Sequence, residues 1–227
     1  MLSNNISKTE VGILALILIL FIIGFVLVFT DLTLFEQYIG EDASVEWVTV
    51  IGLLMASLTC FIRAIKLRMQ RTWLFLLTSV LLGLVLFFGA GEEISWGQRI
   101  LGIESSEYFK EKNLQGETNF HNLVLGGIKI NMWIFSFLLT AVLGVYLLLI
   151  PFLYRKKKWM QTFVRYWGIP LPKLYQIITF VLLFVTELIP HGKRAELLEA
   201  GTALMLFLII RFPANPQSFE AKKINFL

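Results

Sequence analysis

The stretch Gly89-Ala90-Gly91-Glu92-Glu93-Ile94-Ser95-Trp96-Gly97-Gln98-Arg99 sets two carboxylates, a hydroxyl, an amide and a guanidinium directly after an unbroken apolar run, Leu74 to Phe88. Ionisable groups at the end of a membrane-length run are costly unless they face protein, water or a cation, which makes them candidates for a site. If the helix continues past Gly91, then Glu92, Ser95 and Arg99 fall at i, i+3 and i+7 and share one face, while Glu93 and Trp96 point elsewhere. In chemical terms Glu92 and Glu93 are candidate general bases, and Arg99 is a candidate clamp for an anionic group. Ser95 has no base placed beside it and suits a bond to backbone more than nucleophilic attack.

The only two histidines, His121 and His191, each follow a glutamate by four residues, Glu117 and Glu187. On a helix such a pair lies on one face and could grip one cation. Imidazole plus carboxylate suits zinc, iron or manganese, so His121, His191, Glu187 and Glu117 are the candidate metal ligands, with Glu92 or Glu93 as an alternative carboxylate. Pro190 disturbs the second pair by pushing the residue before it out of helical geometry. Glu46, Gln98, Asn119, Asn122, Arg194 and Glu199 complete the polar candidates, with Arg99 and Arg194 as the available counter-charges. Several of the candidates have a bland reading. Glu46 suits a helix N-terminus, Glu196 suits a solvated surface, and His121 beside Asn119 and Asn122 suits a hydrogen-bonded loop anchor. For Glu92 and Glu93 the bland reading is a structural bridge to Arg99 or Arg194.

The elements that must position these groups follow from composition. The 227 residues are 57% hydrophobic and 16% charged, against roughly 45–50% and about 25% in soluble domains, which marks a polytopic membrane protein. The expected fold is all-α, a single transmembrane domain over 1–227. Six spans are expected at about 11–29, 45–62, 73–90, 132–153, 174–189 and 197–212, the last two being short. The first apolar run is too long for a typical signal-peptide core and reads as a retained helix. Cys60, the only cysteine, lies inside an apolar run and reads as filler. With these spans, 14 of the 20 basic residues fall on one side and 14 of the 16 acidic residues on the other. The basic side is then cytoplasmic, with both termini there. Its Lys and Arg clusters read as topology signals and contacts to anionic lipid, not as a nucleic-acid patch. Trp73, Tyr154, Trp159 and Trp167 on the inner side and Tyr38, Trp47, Trp96 and Trp133 on the outer suit two interfacial belts.

The outer loop, 91–131, is expected to hold short helices and turns on the membrane surface. Gly102 ends the helix extending from the third span, Ser105 caps a short one running to about Lys112, and Phe109, Leu114 and Phe120 dip into lipid. On Gly91 to Arg99, on Asn113-Leu114-Gln115-Gly116-Glu117-Thr118-Asn119-Phe120-His121-Asn122, and on Glu41-Asp42 followed by Glu46-Trp47, the chain resembles an uncharacterised family of bacterial polytopic inner-membrane proteins. The resemblance covers roughly the first two-thirds of the chain and implies a multi-pass protein of the bacterial inner membrane, with no activity attached. A looser similarity is to the alkaline-ceramidase-like membrane hydrolases, which hold zinc through histidines near the lipid interface. Two histidines and six spans depart from that pattern, so a zinc ion here would need carboxylate ligands.

Three functions are weighed on these residues. A metal-dependent hydrolase or transferase would act on a lipid or lipid-linked substrate, with metal-bound water as the attacking group. A transporter or proton-coupled carrier would use the intramembrane acids, but these sit at one end and no internal repeat is apparent. A non-catalytic assembly subunit would use the outer loop to bind a partner protein. Membrane lipids are the expected partners.

Overall fold

The computed structural model describes residues 2, 5–130, 133 and 137–221. It is an all-α bundle. In chain order the helices are α1 (Lys8–Thr30), α2 (Leu32–Ile39), α3 (Ser44–Leu67), α4 (Trp73–Glu93), α5 (Gln98–Leu101), α6 (Glu107–Lys112), α7 (Leu139–Gly144), α8 (Ile150–Lys156), α9 (Lys158–Trp167), α10 (Leu174–Leu183) and α11 (Ala195–Arg211). A two-stranded antiparallel hairpin, β1 (Val124–Leu125) and β2 (Ile128–Lys129), lies in the long loop.

Among the described residues, four helical stretches are long and apolar enough to cross a membrane: Lys8–Thr30, Leu32–Leu67 (α2 and α3 together), Trp73–Glu93 and Leu139–Lys156. Leu18, Phe29, Leu58, Val85 and Val142 stand exposed on their outer faces, as does Val181 on α10. So broad an apolar exterior is foreign to a water-soluble monomer and natural against hydrocarbon. The expected fifth and sixth spans are the shorter pair: Leu174–Leu188 ends in a 3₁₀ turn, and α11 has 17 residues. At 1.5 Å per residue α11 covers roughly 25 Å, a little under the hydrocarbon thickness. It is also the helix most enclosed by protein. Leu197, Ala200, Ala203, Met205, Leu208 and Ile209 are all buried, and it packs on α3, α10 and α1. A helix apolar on every side needs such surroundings.

Local sequence explains the helix ends. Ser7 and Glu10 form a reciprocal capping box at α1, and Thr72 caps α4 by accepting from Phe75 N. The stretch Leu139–Lys156 widens into π geometry over Val145–Leu149, just ahead of Pro151, which has no N–H to return to the preceding turn. The start of the expected fourth span, Met132, lies outside the described residues.

Three residues expected at the surface turn inward. α2 doubles back along α1 so far that the Tyr38 hydroxyl donates to Leu20 O at 3.1 Å, which removes Tyr38 from the expected outer belt. Glu10 and Lys173, both read as charges of the basic side, form a buried ion pair of 2.6 Å. Lys173 also donates to Asn5 O, and the Tyr175 hydroxyl donates to Glu10.

Candidate functional site

The helix does not run on through the Glu92 stretch. α4 ends at Glu93, and Ser95, Trp96 and Gly97 follow with φ of 46°, 57° and 75°. Three left-handed residues in a row reverse the chain. The expected i, i+3, i+7 face is therefore replaced by a tight turn that still brings the same groups together. Gly91 is required by close approach: a Cβ there would lie 2.8 Å from the Trp96 ring, which folds back over it. Trp96 packs edge-on to Phe87 and Phe88, stays partly exposed, and donates its indole N–H to Glu92 Oε1 at 2.8 Å.

Glu92 faces protein and holds the loop. Its Oε2 accepts the backbone N–H of Phe120 at 2.6 Å and of His121 at 3.1 Å. Only 2% of the residue is exposed. With three donors on one carboxylate, Glu92 fixes the backbone on which His121 stands. Neither Glu92 nor Glu93 bridges to Arg99 or Arg194 among the described residues.

Arg99 is the hub of a second cluster. Its Nη2 donates to Glu46 Oε1 at 2.6 Å and its Nη1 to Glu117 at 2.9 and 3.1 Å. Nε lies 3.0 Å from Asp42 Oδ2, an ion pair at an angle too poor for a hydrogen bond, and Glu41 Oε2 is 3.8 Å from Nη1. Burial alone would lower the guanidinium pKa, but the Glu117 hydrogen bonds and the charges of Glu46, Glu117 and Asp42 outweigh it and raise the pKa. Thus Arg99 joins α5, the turn before α3, the first turn of α3 and the loop.

The loop around Glu117 is knitted by side-chain amides. Ser95, fully buried, donates to Glu117 and accepts from Asn119 Nδ2 at 2.8 Å. Asn119 Oδ1 accepts from Asn113 Nδ2 and Asn122 N, while Gln98 donates to Ser105 Oγ and accepts from Thr118 N. Asn119 is thus the loop anchor that was considered for His121. The short helix here is α6, entered at Ser106 and not at Ser105, whose side chain is buried in this network. Gly102 closes the separate α5, not an extension of α4.

The four expected metal ligands do not form one cluster, although His121 and Glu187 line the same cavity. Glu117 and His121 lie in turns, so their spacing of four does not set them on one face. Ile189 is extended ahead of Pro190, which carries His191 away from Glu187. His191 packs edge-on to Phe35 with Nε2 3.6 Å from Glu36, and Glu187 pairs with Arg194 at 2.8 Å.

A different set converges. Carboxylate oxygens of Glu93, Glu196 and Glu199 lie within 4.8 Å of one another, close enough to hold a metal ion. The His121 Nε2 is 4.0 Å from Glu199 Oε1. Glu93 comes from the last residue of α4, Glu196 and Glu199 from one face of the start of α11, and His121 from the loop that Glu92 holds. Glu196, expected at a solvated surface, belongs instead to this cluster. Its spacing of three from Glu199 was the available signal, and the depth at which α11 enters the bundle was the missing one. Burial pushes the His121 imidazole below its ordinary value, which favours the neutral ring that metal ligation requires.

Two cavities meet at this cluster. A polar one of about 380 Å³ is lined by Glu46, Arg99, Gln115, Asn122, Lys193 and Glu196, among others. An apolar one of about 280 Å³ runs between Leu53, Leu143, Phe180, Phe184, Leu198 and Leu206. Glu93, His121, Ala195 and Glu199 line both. Comparison of the chain with protein-family models, curated proteins and solved structures gives no match.

Proposed function

We propose that the protein is a metal-dependent hydrolase or transferase of the membrane interface, acting on a lipid or lipid-linked substrate. The observation that carries this reading is the position of Glu93, Glu196, Glu199 and His121 at the junction of a polar and an apolar cavity. An amphipathic molecule has a place for each of its halves on either side of the cluster.

Three carboxylates so close together and partly buried can all ionise only beside compensating positive charge. Arg99 and Arg194 are already matched by other acids, and among the described residues no lysine or arginine lies within 4.0 Å of Glu93, Glu196 or Glu199. A divalent cation supplies that charge. Carboxylate oxygens with one imidazole suit manganese, iron or zinc. Bound there, the metal would supply Lewis acidity toward an ester or phosphoryl oxygen and lower the pKa of a bound water.

The chain's own residues have distinct tasks in this reading. Glu93, Glu196, Glu199 and His121 hold the cation, and whichever carboxylate is left unligated can take a proton from water. Glu92 is a positioning residue that fixes His121 through the backbone. Arg99 is a positioning residue as well, since both its Nη atoms are engaged by Glu46 and Glu117 and its Nε faces Asp42. The protein sits in the bacterial inner membrane with the basic end cytoplasmic and the acidic cluster at the outer face, a reading supported by the charge asymmetry of the sequence.

The test is the metal content of gently purified full-length protein beside Glu199→Gln, Glu196→Gln and His191→Ala. Near-stoichiometric manganese, iron or zinc that the two glutamine variants lose and His191→Ala retains is the expected result. Hydrolysis of lipid esters and lipid phosphates should then be lost with the metal. Folded protein without metal above background, before and after incubation with each ion, overturns the proposal.

A further inference from the structure

At the opposite end of the bundle lies a cavity of about 530 Å³ between the C-terminal ends of α3 and α11 and the segment 213–220 that follows α11. Its lining includes Arg63, Lys66, Lys173 and Arg211, with Glu220 as the sole acid. Lys173 is matched by Glu10. Arg63, Lys66 and Arg211 have no carboxylate within 4.0 Å among the described residues, so the cavity keeps an excess of positive charge even after Glu220 is counted.

This cavity is built by specific contacts. Arg71 donates to the carbonyls of Gln217, Ser218 and Glu220 and pins the segment across the end of α3. That places the Phe219 ring under the Arg63 guanidinium, 4.1 Å from its carbon. One Arg63 nitrogen donates to Arg211 O at 3.2 Å, which spends a single donor on the terminal carbonyl of α11. Helix C-termini favour basic side chains through the dipole, and this contact satisfies that preference. Lys66 and the Arg211 side chain are left with donors directed at no carboxylate. Arginine forks and lysine ammoniums around a concave space are the chemistry that recognises phosphate. Ile62, Phe212 and Pro213 supply apolar wall beside the charges.

We propose that this cavity is a binding site for a phosphate-bearing anion, distinct from the acidic cluster at the far end of the helices. Arg63, Lys66 and Arg211 hold the phosphate, and the apolar wall accommodates a glycerol or other organic substituent on it. The anion comes either from an anionic phospholipid headgroup or from a soluble phosphate, which share the recognised group.

The experiment equilibrates full-length protein in nonionic detergent with phosphatidylglycerol or phosphatidylcholine of equal chain length and counts bound lipid by native mass spectrometry. Preference for phosphatidylglycerol is expected, falling with added salt, and weakening roughly fivefold for each charge removed in Lys66→Gln, Arg211→Gln and the double variant. Arg63 is left intact because it also holds Phe219 and the end of α11. A photoactivatable phosphatidylglycerol on the unaltered protein gives a measurement independent of variant folding, with labels expected within 59–66 and 211–220. Inorganic phosphate that competes with the lipid shows that the phosphate group alone is read. Lipid binding that phosphate does not disturb assigns the site to the headgroup. Equal binding of the two lipids with no effect of phosphate, or labels lying elsewhere, overturns the proposal.

Discussion

Asn119 shows how much of this protein's order rests on single side chains. Its amide donates to Ser95 and accepts from Asn113 and Asn122 in a place only 2% exposed. Asn119→Ala should cost about 1–3 kcal/mol for each buried partner left unmatched, read as a lowered midpoint of thermal unfolding in detergent. Arg99→Gln strands Glu46 and Glu117 as partly buried carboxylates and should destabilise by about 3 kcal/mol or more. Arg99→Lys should recover little, because one ammonium cannot bridge carboxylates that a fork reaches from separate nitrogens. Combining Arg99→Gln with Glu46→Gln should recover part of the loss, and a double-mutant cycle measures it. At this scale the sequence was partly legible. That Glu92, Glu93 and Arg99 belong to a polar centre follows from charges at the end of an apolar run. Which neighbour does what was hidden, because adjacent helical residues point about 100° apart and only packing fixes the rotation of α4. Glu92 turns to the loop and Glu93 to α11. The Glu-x-x-x-His spacings misled for the same reason: spacing of four has meaning only on a helix, and both pairs lie in broken backbone.

Among the elements, the membrane-length helices were readable because apolar length is a direct requirement of the bilayer. The hairpin Val124–Lys129 was also encoded and was passed over in the reading of the loop as helices and turns. Gly126 and Gly127 sit between Val124-Leu125 and Ile128-Lys129 with φ of 57° and 80°, the signature of a two-residue type I′ turn. Replacing both with alanine should cost about 1–2 kcal/mol per residue, visible as faster proteolysis of the loop with the bundle still intact. The Glu10–Lys173 pair had no such signal, since its partners are 163 residues apart. Lys173→Met alone should destabilise by about 3–5 kcal/mol, and Lys173→Met with Glu10→Gln by much less, judged by unfolding midpoints. Such a pair ties α1 to the start of α10 at the basic end, while Arg99 does comparable work at the acidic end.

For the whole molecule the arrangement is two charged ends separated by an apolar bundle, with two cavities meeting at the acidic end and one at the basic end. If the acidic cluster holds a cation, the folded protein binds it and the unfolded chain does not, so added ion raises the unfolding midpoint by mass action. Manganese, iron or zinc should therefore stabilise the unaltered protein and leave Glu199→Gln unmoved. The stabilisation should fade on acidification, because protons compete for imidazole and carboxylate. A chelator should reverse it. A midpoint insensitive to all three ions would separate the fold from the proposed chemistry.

The origin of the four converging groups also has a consequence for biosynthesis. Glu93 and His121 are translated well before Glu196 and Glu199, and α11 is enclosed by helices made earlier. Until α11 slides into place among α1, α3 and α10, two of the cluster's three carboxylates are missing and neither cavity has its shared wall. Capture of a cation would then be a late event in assembly. Occupancy would report that the last helix had docked, and a ribosome-stalled chain ending before Ala195 would carry none.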